Sequence, residues 1–134
     1  MCFFTQQIAD IEKITTRFDK EIDVEDNLIQ SDFINGFSYP NLPIITNEKP
    51  ELITTSYTWG LLPTWSKDLD FRKNTLNARI ETIEEKASFK NITSNRCLII
   101  ATGYFEWRWL DDKDNVKVKY EIHNQENEIF CFAG

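Results

Sequence analysis

The sequence predicts an α+β fold dominated by an antiparallel sheet, and three observations predict it. Val116, Val118, Tyr120 and Ile122 alternate with Lys117, Lys119 and Glu121, the period-2 pattern of a half-buried strand. Residues 52–59, 96–101 and 104–109 are rich in β-branched and aromatic side chains and are bounded by Gly, Pro or turn clusters. Helical periodicity is confined to two short stretches.

In chain order, Ile8, Ile11, Ile14 and Phe18 recur at helical spacing with Asp10, Glu12, Lys13 and Arg17 between them, which predicts a short amphipathic helix. The acidic residues 19–26 read as a solvated loop or helix end. Pro40, Pro43 and Pro50 punctuate a segment around 42–45 that reads as irregular. A strand over 52–59 stops at Gly60 and Pro63. Residues 82–89 read as a second helix with Ile80, Ile83 and Ala87 inward, and Thr82 with Glu85 resembles a capping box. Strands follow over 96–101 and 104–109, separated by Thr102-Gly103. Asp111 to Asn115 form a turn cluster, and residues 129–133 begin another strand. No internal repeat is present.

The composition bounds the class. A chain of 134 residues with 41% apolar side chains can bury a core, and 28% charged residues with 4 Gly and 4 Pro exclude a low-complexity chain. No apolar run approaches the roughly 20 residues of a membrane helix. Residues 1–7 carry neither a basic nor an apolar signal region, so a soluble cytoplasmic protein is expected. Cys2, Cys97 and Cys131 lack the spacing of a disulfide framework or a zinc knuckle, and His123 is the single histidine. No metal or organic cofactor is expected. Cys97 and Cys131 lie in apolar runs and read as inert buried thiols. The net charge is −7, yet residues 60–109 carry a net +2, enough to hold a few phosphates locally.

Four clusters carry chemistry. Removal of Met1 would leave Cys2 with a free α-amine beside its thiol. Such an amine titrates at about 7.7–8.0, so a fraction is neutral and nucleophilic near pH 7. It attacks an aldehyde to give a Schiff base, and the neighbouring thiol can close a five-membered thiazolidine. Glu106, within Tyr104-Phe105-Glu106-Trp107, reads as a carboxylate walled by rings, a setting that raises a pKa toward the range useful for proton transfer. Asn77 carries an amide that donates and accepts without competing as a nucleophile. Arg79, two residues on, has a planar fork suited to phosphate and shares a face with Asn77 if the segment is extended. In Trp59-Gly60-Leu61-Leu62-Pro63-Thr64-Trp65, aromatic faces could stack on unpaired bases. Trp59, at a strand end, reads rather as core, while Trp65 and Pro63 read as loop.

Met1-Cys2, the Trp59 to Trp65 cluster, Asn77-Ala78-Arg79-Ile80-Glu81-Thr82, and Arg96-Cys97-Leu98-Ile99 running to Gly103-Tyr104-Phe105-Glu106-Trp107 occur in the order found in one family. Together they resemble the SOS-response-associated peptidase (SRAP) family, which handles abasic sites in single-stranded DNA. The resemblance implies a barrel-like, mainly antiparallel sheet with short flanking helices. It implies one domain over 1–134 with its C-terminal part missing, a monomer when complete. Cys2, Asn77 and Glu106 are then catalytic, and Arg79, Trp65, Pro63 and Trp59 lie along the DNA. The expected partner is single-stranded DNA containing abasic sites, with no membrane and no metal. The leading expectation is a damage-response protein that forms a covalent thiazolidine crosslink through Cys2. A cysteine-type peptidase acting on itself and a divergent, non-catalytic DNA-binding member are the alternatives. Phe3-Phe4 stands where the family carries Gly-Arg, and the family's later His-Asp-Arg-like motif has no counterpart here. His123 reads as a plain surface histidine.

Overall fold

Two twisted sheets meet at Thr102 in the computed structural model, which describes residues 2–23, 28–111, 116–126 and 128–134. The first sheet sets β1 (Phe4–Gln7) between β3 (Ser31–Asn35) and β7 (Gly103–Trp109), with β8 (Lys117–Ile122) outside β7. Every pairing in it is antiparallel. The second sheet has the order β2 (Glu21–Asp23), β5 (Leu52–Thr54), β4 (Ile44–Thr46), β6 (Cys97–Ala101) and β9 (Phe130–Ala133). It is antiparallel except for the parallel β2–β5 pair. The fold is thus α+β and mainly antiparallel, as expected, but the sheets are not closed into a barrel.

The chain leaves β6 in one sheet and enters β7 in the other with only Thr102 between them. That corner is pinned from both sides. Thr102 N–H donates to the Gln6 carbonyl (2.9 Å), and the Ile8 N–H donates to Thr102 Oγ1 (3.2 Å). A Cβ on the next residue, Gly103, would lie 2.8 Å from the His123 ring, so a side chain there would have to displace that ring.

The helix α1 (Ile11–Phe18) is defined by its ends. Asp10 accepts from the Lys13 N–H at 2.8 Å, and Asp19 stops the helix in the left-handed region with φ of 50°. Ile14 is fully buried against Ile45, Ile53 and Ile100, which form the core beneath the helix. Gln7, also fully buried, satisfies both its amide ends on the backbone of Ala9.

Several elements differ from the sequence expectation. The helix starts at Ile11, and both Ile8 and Ile11 are exposed. Part of the acidic stretch pairs as β2, because parallel pairing with β5 satisfies its backbone; residues 24–27 lie outside the described residues. The segment around 42–45 contributes β4, whose Ile44 and Ile45 are buried between β5 and β6. The strand at 52 ends at Thr54, and Thr58 makes only an isolated bridge to Asn41. The second helix is absent. A 3-10 turn at Ile80–Thr82 passes into successive turns, with Ile80 and Ala87 exposed, so there is no core face to hold a helix. The Thr82–Glu85 pair survives only as a backbone turn. Of the turn cluster, Asp111 accepts from the Val116 N–H, and residues 112–115 lie outside the described residues.

Candidate active site

The register of β1 against β7 builds the site. Phe4 pairs with Phe105, and the strands run antiparallel, so the chain just before β1 lies beside the β7 residue just after Phe105. Continued, that register would set Phe3 opposite Glu106 and Cys2 opposite Trp107, but the chain bends at Phe3, outside β1, and Cys2 reaches Glu106. The Cys2 thiol is hydrogen-bonded to the Glu106 carboxylate, and Asn77 Nδ2 donates to the Cys2 carbonyl at 2.8 Å. Cys2, Asn77 and Glu106, separated by 75 and 29 positions, are therefore in one place.

The environment sets the thiol's state. Burial, reinforced by the charge and hydrogen bond of Glu106, pushes the Cys2 thiol from 9.0 up to about 11. It is protonated at neutral pH. Cys97 and Cys131 are free, half-buried and also raised, by burial first. The ring wall expected around Glu106 is one-sided. Strand alternation puts Phe105 and Trp107 on the opposite face, where they pack on Phe33 and Phe4, and leaves Tyr104 on the Glu106 face.

Asn77 is placed by the loop before it. Trp59 is half-buried, and its indole N–H donates to the Leu76 carbonyl at 2.8 Å, one residue before Asn77. Thr75 Oγ1 donates to the Leu61 carbonyl and ties the loop's two arms together. Gly60 turns the chain with φ of 103°, a conformation that L side chains rarely adopt. A Cβ there would also sit 3.2 Å from Leu76. Gly60→Ala is expected to cost about 1–3 kcal/mol, read as a lowered urea midpoint at unchanged slope. An unchanged midpoint would show that the loop relaxes freely.

The other predicted site residues lie around this centre. Pro63 is buried. Trp65 is 56% exposed and packs edge-on against Phe71 at 4.9 Å. Arg79 has extended backbone at the start of the 3-10 turn, is exposed, and makes no ion pair among the described residues. His123 belongs elsewhere. Its ring bonds to the Thr102 carbonyl and to Glu121, each at 2.9 Å, at the far end of β1. The Thr102 carbonyl, and then Glu121, raise its pKa. Among the described residues no group of three or more His, Cys, Asp or Glu side chains could hold a metal ion. None of their helices is long and apolar enough to cross a membrane.

The profile of the family SOS response associated peptidase (SRAP) matches residues 1–134. The chain belongs to the SRAP family. The abasic site processing protein YoqW of Bacillus subtilis is 36% identical over 95 residues, which cover 70% of this chain and 42% of that protein. The abasic site processing protein HMCES of Pongo abelii is 41% identical over 66 residues, 46% of this chain and 19% of the relative. A crystal structure of a Bacteroides thetaiotaomicron protein superposes with a TM-score of 0.84 at 35% identity, over 98% of this chain and 58% of the other. A Bordetella bronchiseptica protein, at 21% identity and a TM-score of 0.70, shares the fold. This SRAP chain thus spans about two fifths of the length of the curated relatives it matches first.

Proposed function

We propose that this protein processes abasic sites in single-stranded DNA by forming a covalent crosslink through Cys2. The observation that carries the reading is the convergence of Cys2, Asn77 and Glu106 at the start of β1. SRAP membership and relatives named abasic site processing proteins support the substrate.

The chemistry follows from the protonation states. After removal of Met1, the Cys2 α-amine is the nucleophile, because it titrates about three units below the thiol at about 11. It adds to the aldehyde of the ring-opened sugar. The carbinolamine loses water to give an imine, and the thiol sulfur adds to the imine carbon. The thiol proton ends on the ring nitrogen, so amine, thiol and aldehyde become a thiazolidine and one water. Glu106 is the group positioned to take the thiol proton and return it. Asn77 holds the Cys2 carbonyl and so orients the amine and thiol together. Arg79 and Trp65, both exposed, would contact phosphate and bases beside the site, whereas Pro63 is buried and would shape the loop rather than touch the strand. A protonated thiol beside a carboxylate weighs against a thiolate peptidase mechanism.

The test is incubation of the Met1-free protein with an oligonucleotide carrying one abasic site, followed by denaturing electrophoresis. A denaturation-resistant adduct is expected, and Cys2→Ala should abolish it. An adduct formed equally well by Cys2→Ala overturns the reading.

A further inference from the structure

The single histidine of the chain faces two hydrogen-bond acceptors at the corner where the sheets meet. His123 Nδ1 lies 2.9 Å from the Thr102 carbonyl oxygen, and Nε2 lies 2.9 Å from Glu121 Oε1. A carbonyl and a carboxylate only accept. A neutral imidazole carries one N–H, so it bonds one of them and turns a lone pair on the other. An imidazolium donates to both. With both nitrogens engaged inside the protein, the ring has no free position for a metal or a substrate proton.

The same group of bonds gathers the ends of two strands. Glu121 Oε1, near the end of β8, also accepts from Gln6 Nε2 of β1 at 2.9 Å. Thr102 Oγ1 donates to Gln6 Oε1 at 3.3 Å. Gln6 and Thr102 are buried, so each lost bond there exposes a cost. The His123 side chain stays 29% exposed and borders a cavity of about 440 Å³, shared with Ile8, Lys13 and Ile129. Water therefore reaches the ring, and a proton can enter and leave. Among the described residues the charged groups facing it are Glu121 from its own strand and Lys13 from α1. Lys13 is well exposed and pairs with Asp10 at 3.6 Å, so its opposing charge is screened. Glu128, beyond the same turn, is paired with Arg17 at 3.1 Å.

We propose that His123 is a pH-dependent latch, which as an imidazolium ties the end of β8 to the Thr102 corner and, through Glu121 and Gln6, to the end of β1. Deprotonation breaks one of its two bonds and sets a lone pair against an acceptor, so the ring turns away and the corner loosens. The latch needs no DNA and stands apart from the proposed function. The raised pKa of His123, due first to the Thr102 carbonyl and then to Glu121, agrees with this geometry. Folding then favours the protonated ring. The stability it adds is full below the ordinary 6.5 and is lost as pH rises through the higher folded value.

Because there is one histidine, its ring protons titrate in the NMR spectrum without ambiguity. The midpoint should lie above 6.5 and should fall in Glu121→Gln. A midpoint at or below 6.5, or one that Glu121→Gln leaves unmoved, overturns the latch. Hydrogen exchange read by mass spectrometry over residues 98–105 then tests the release. The chain and His123→Gln are compared at the same pH, so the intrinsic pH dependence of exchange cancels. At about pH 5.5, where histidine is charged, the variant should exchange about tenfold or more faster, the scale of one charged hydrogen bond. At about pH 8.5 the two should converge. Equal exchange at the lower pH overturns the latch. A difference of the same size at both values also overturns it, because the ring would then act by packing alone. The NMR titration uses the unsubstituted chain, so it decides the matter even if His123→Gln fails to fold.

Discussion

Glu106→Gln should slow adduct formation by about 10²–10⁴-fold, the range typical for loss of a positioned acid–base group. The same substitution should make the Cys2 thiol more acidic. The Glu106 charge and its hydrogen bond both disfavour the thiolate, so removing them lowers the thiol from about 11. Burial, the larger cause, remains and keeps it above the ordinary 9.0. Alkylation of Cys2 followed by peptide mass spectrometry reads the midpoint directly and separates it from Cys97 and Cys131. The expected result is a slower crosslink with alkylation that begins at lower pH. Slower crosslinking with an unmoved alkylation midpoint would mean that Glu106 does not act on the thiol. An unchanged crosslinking rate would remove Glu106 from the chemistry.

Ile14→Ala should cost about 3 kcal/mol, because it empties a fully buried position between α1 and the second sheet. For a chain of this size that lowers Tm by roughly 10 °C. Ile11→Ala, on the same helix, should change stability by under about 1 kcal/mol. Ile11 is 41% exposed, and the helix propensity of alanine offsets the small loss of contact. The contrast is the test, since sequence periodicity places Ile11 and Ile14 alike. Equal losses from the two substitutions would mean that the helix packs along its whole apolar row.

How much of this was legible in the sequence follows a pattern. The strands at Cys97–Ala101, Gly103–Trp109 and Lys117–Ile122 carry strong local signals and form where they are expected. The strand Phe4–Gln7 went unread, because Phe-Thr-Gln-Gln has no alternation of its own. It is a strand because β3 and β7 satisfy its backbone on both edges. The helix expected at 82–89 failed for the converse reason. Its spacing is helical, but no neighbouring face buries Ile80 or Ala87. The alternation on β8 is present, but its apolar side is not the covered one: Val118 and Tyr120 stay exposed, and the lysines on the other face are the side chains that meet aromatic rings.

The candidate site divides in the same way. Cys2, Asn77 and Glu106 stand out by residue type and motif, which are properties of the sequence. By itself the sequence determined the chemical groups, the class of fold and the family they belong to. Only the tertiary structure decided that Glu106 reaches the Cys2 thiol while Phe105 and Trp107 turn away from it. Pairing register sets the faces of β7, since the match of Phe4 with Phe105 puts Phe105 and Trp107 on one side and Glu106 on the other, and the bend at Phe3, outside the strand, brings Cys2 to the Glu106 side. Register is chosen by contacts between distant segments, and no local run of residues encodes it.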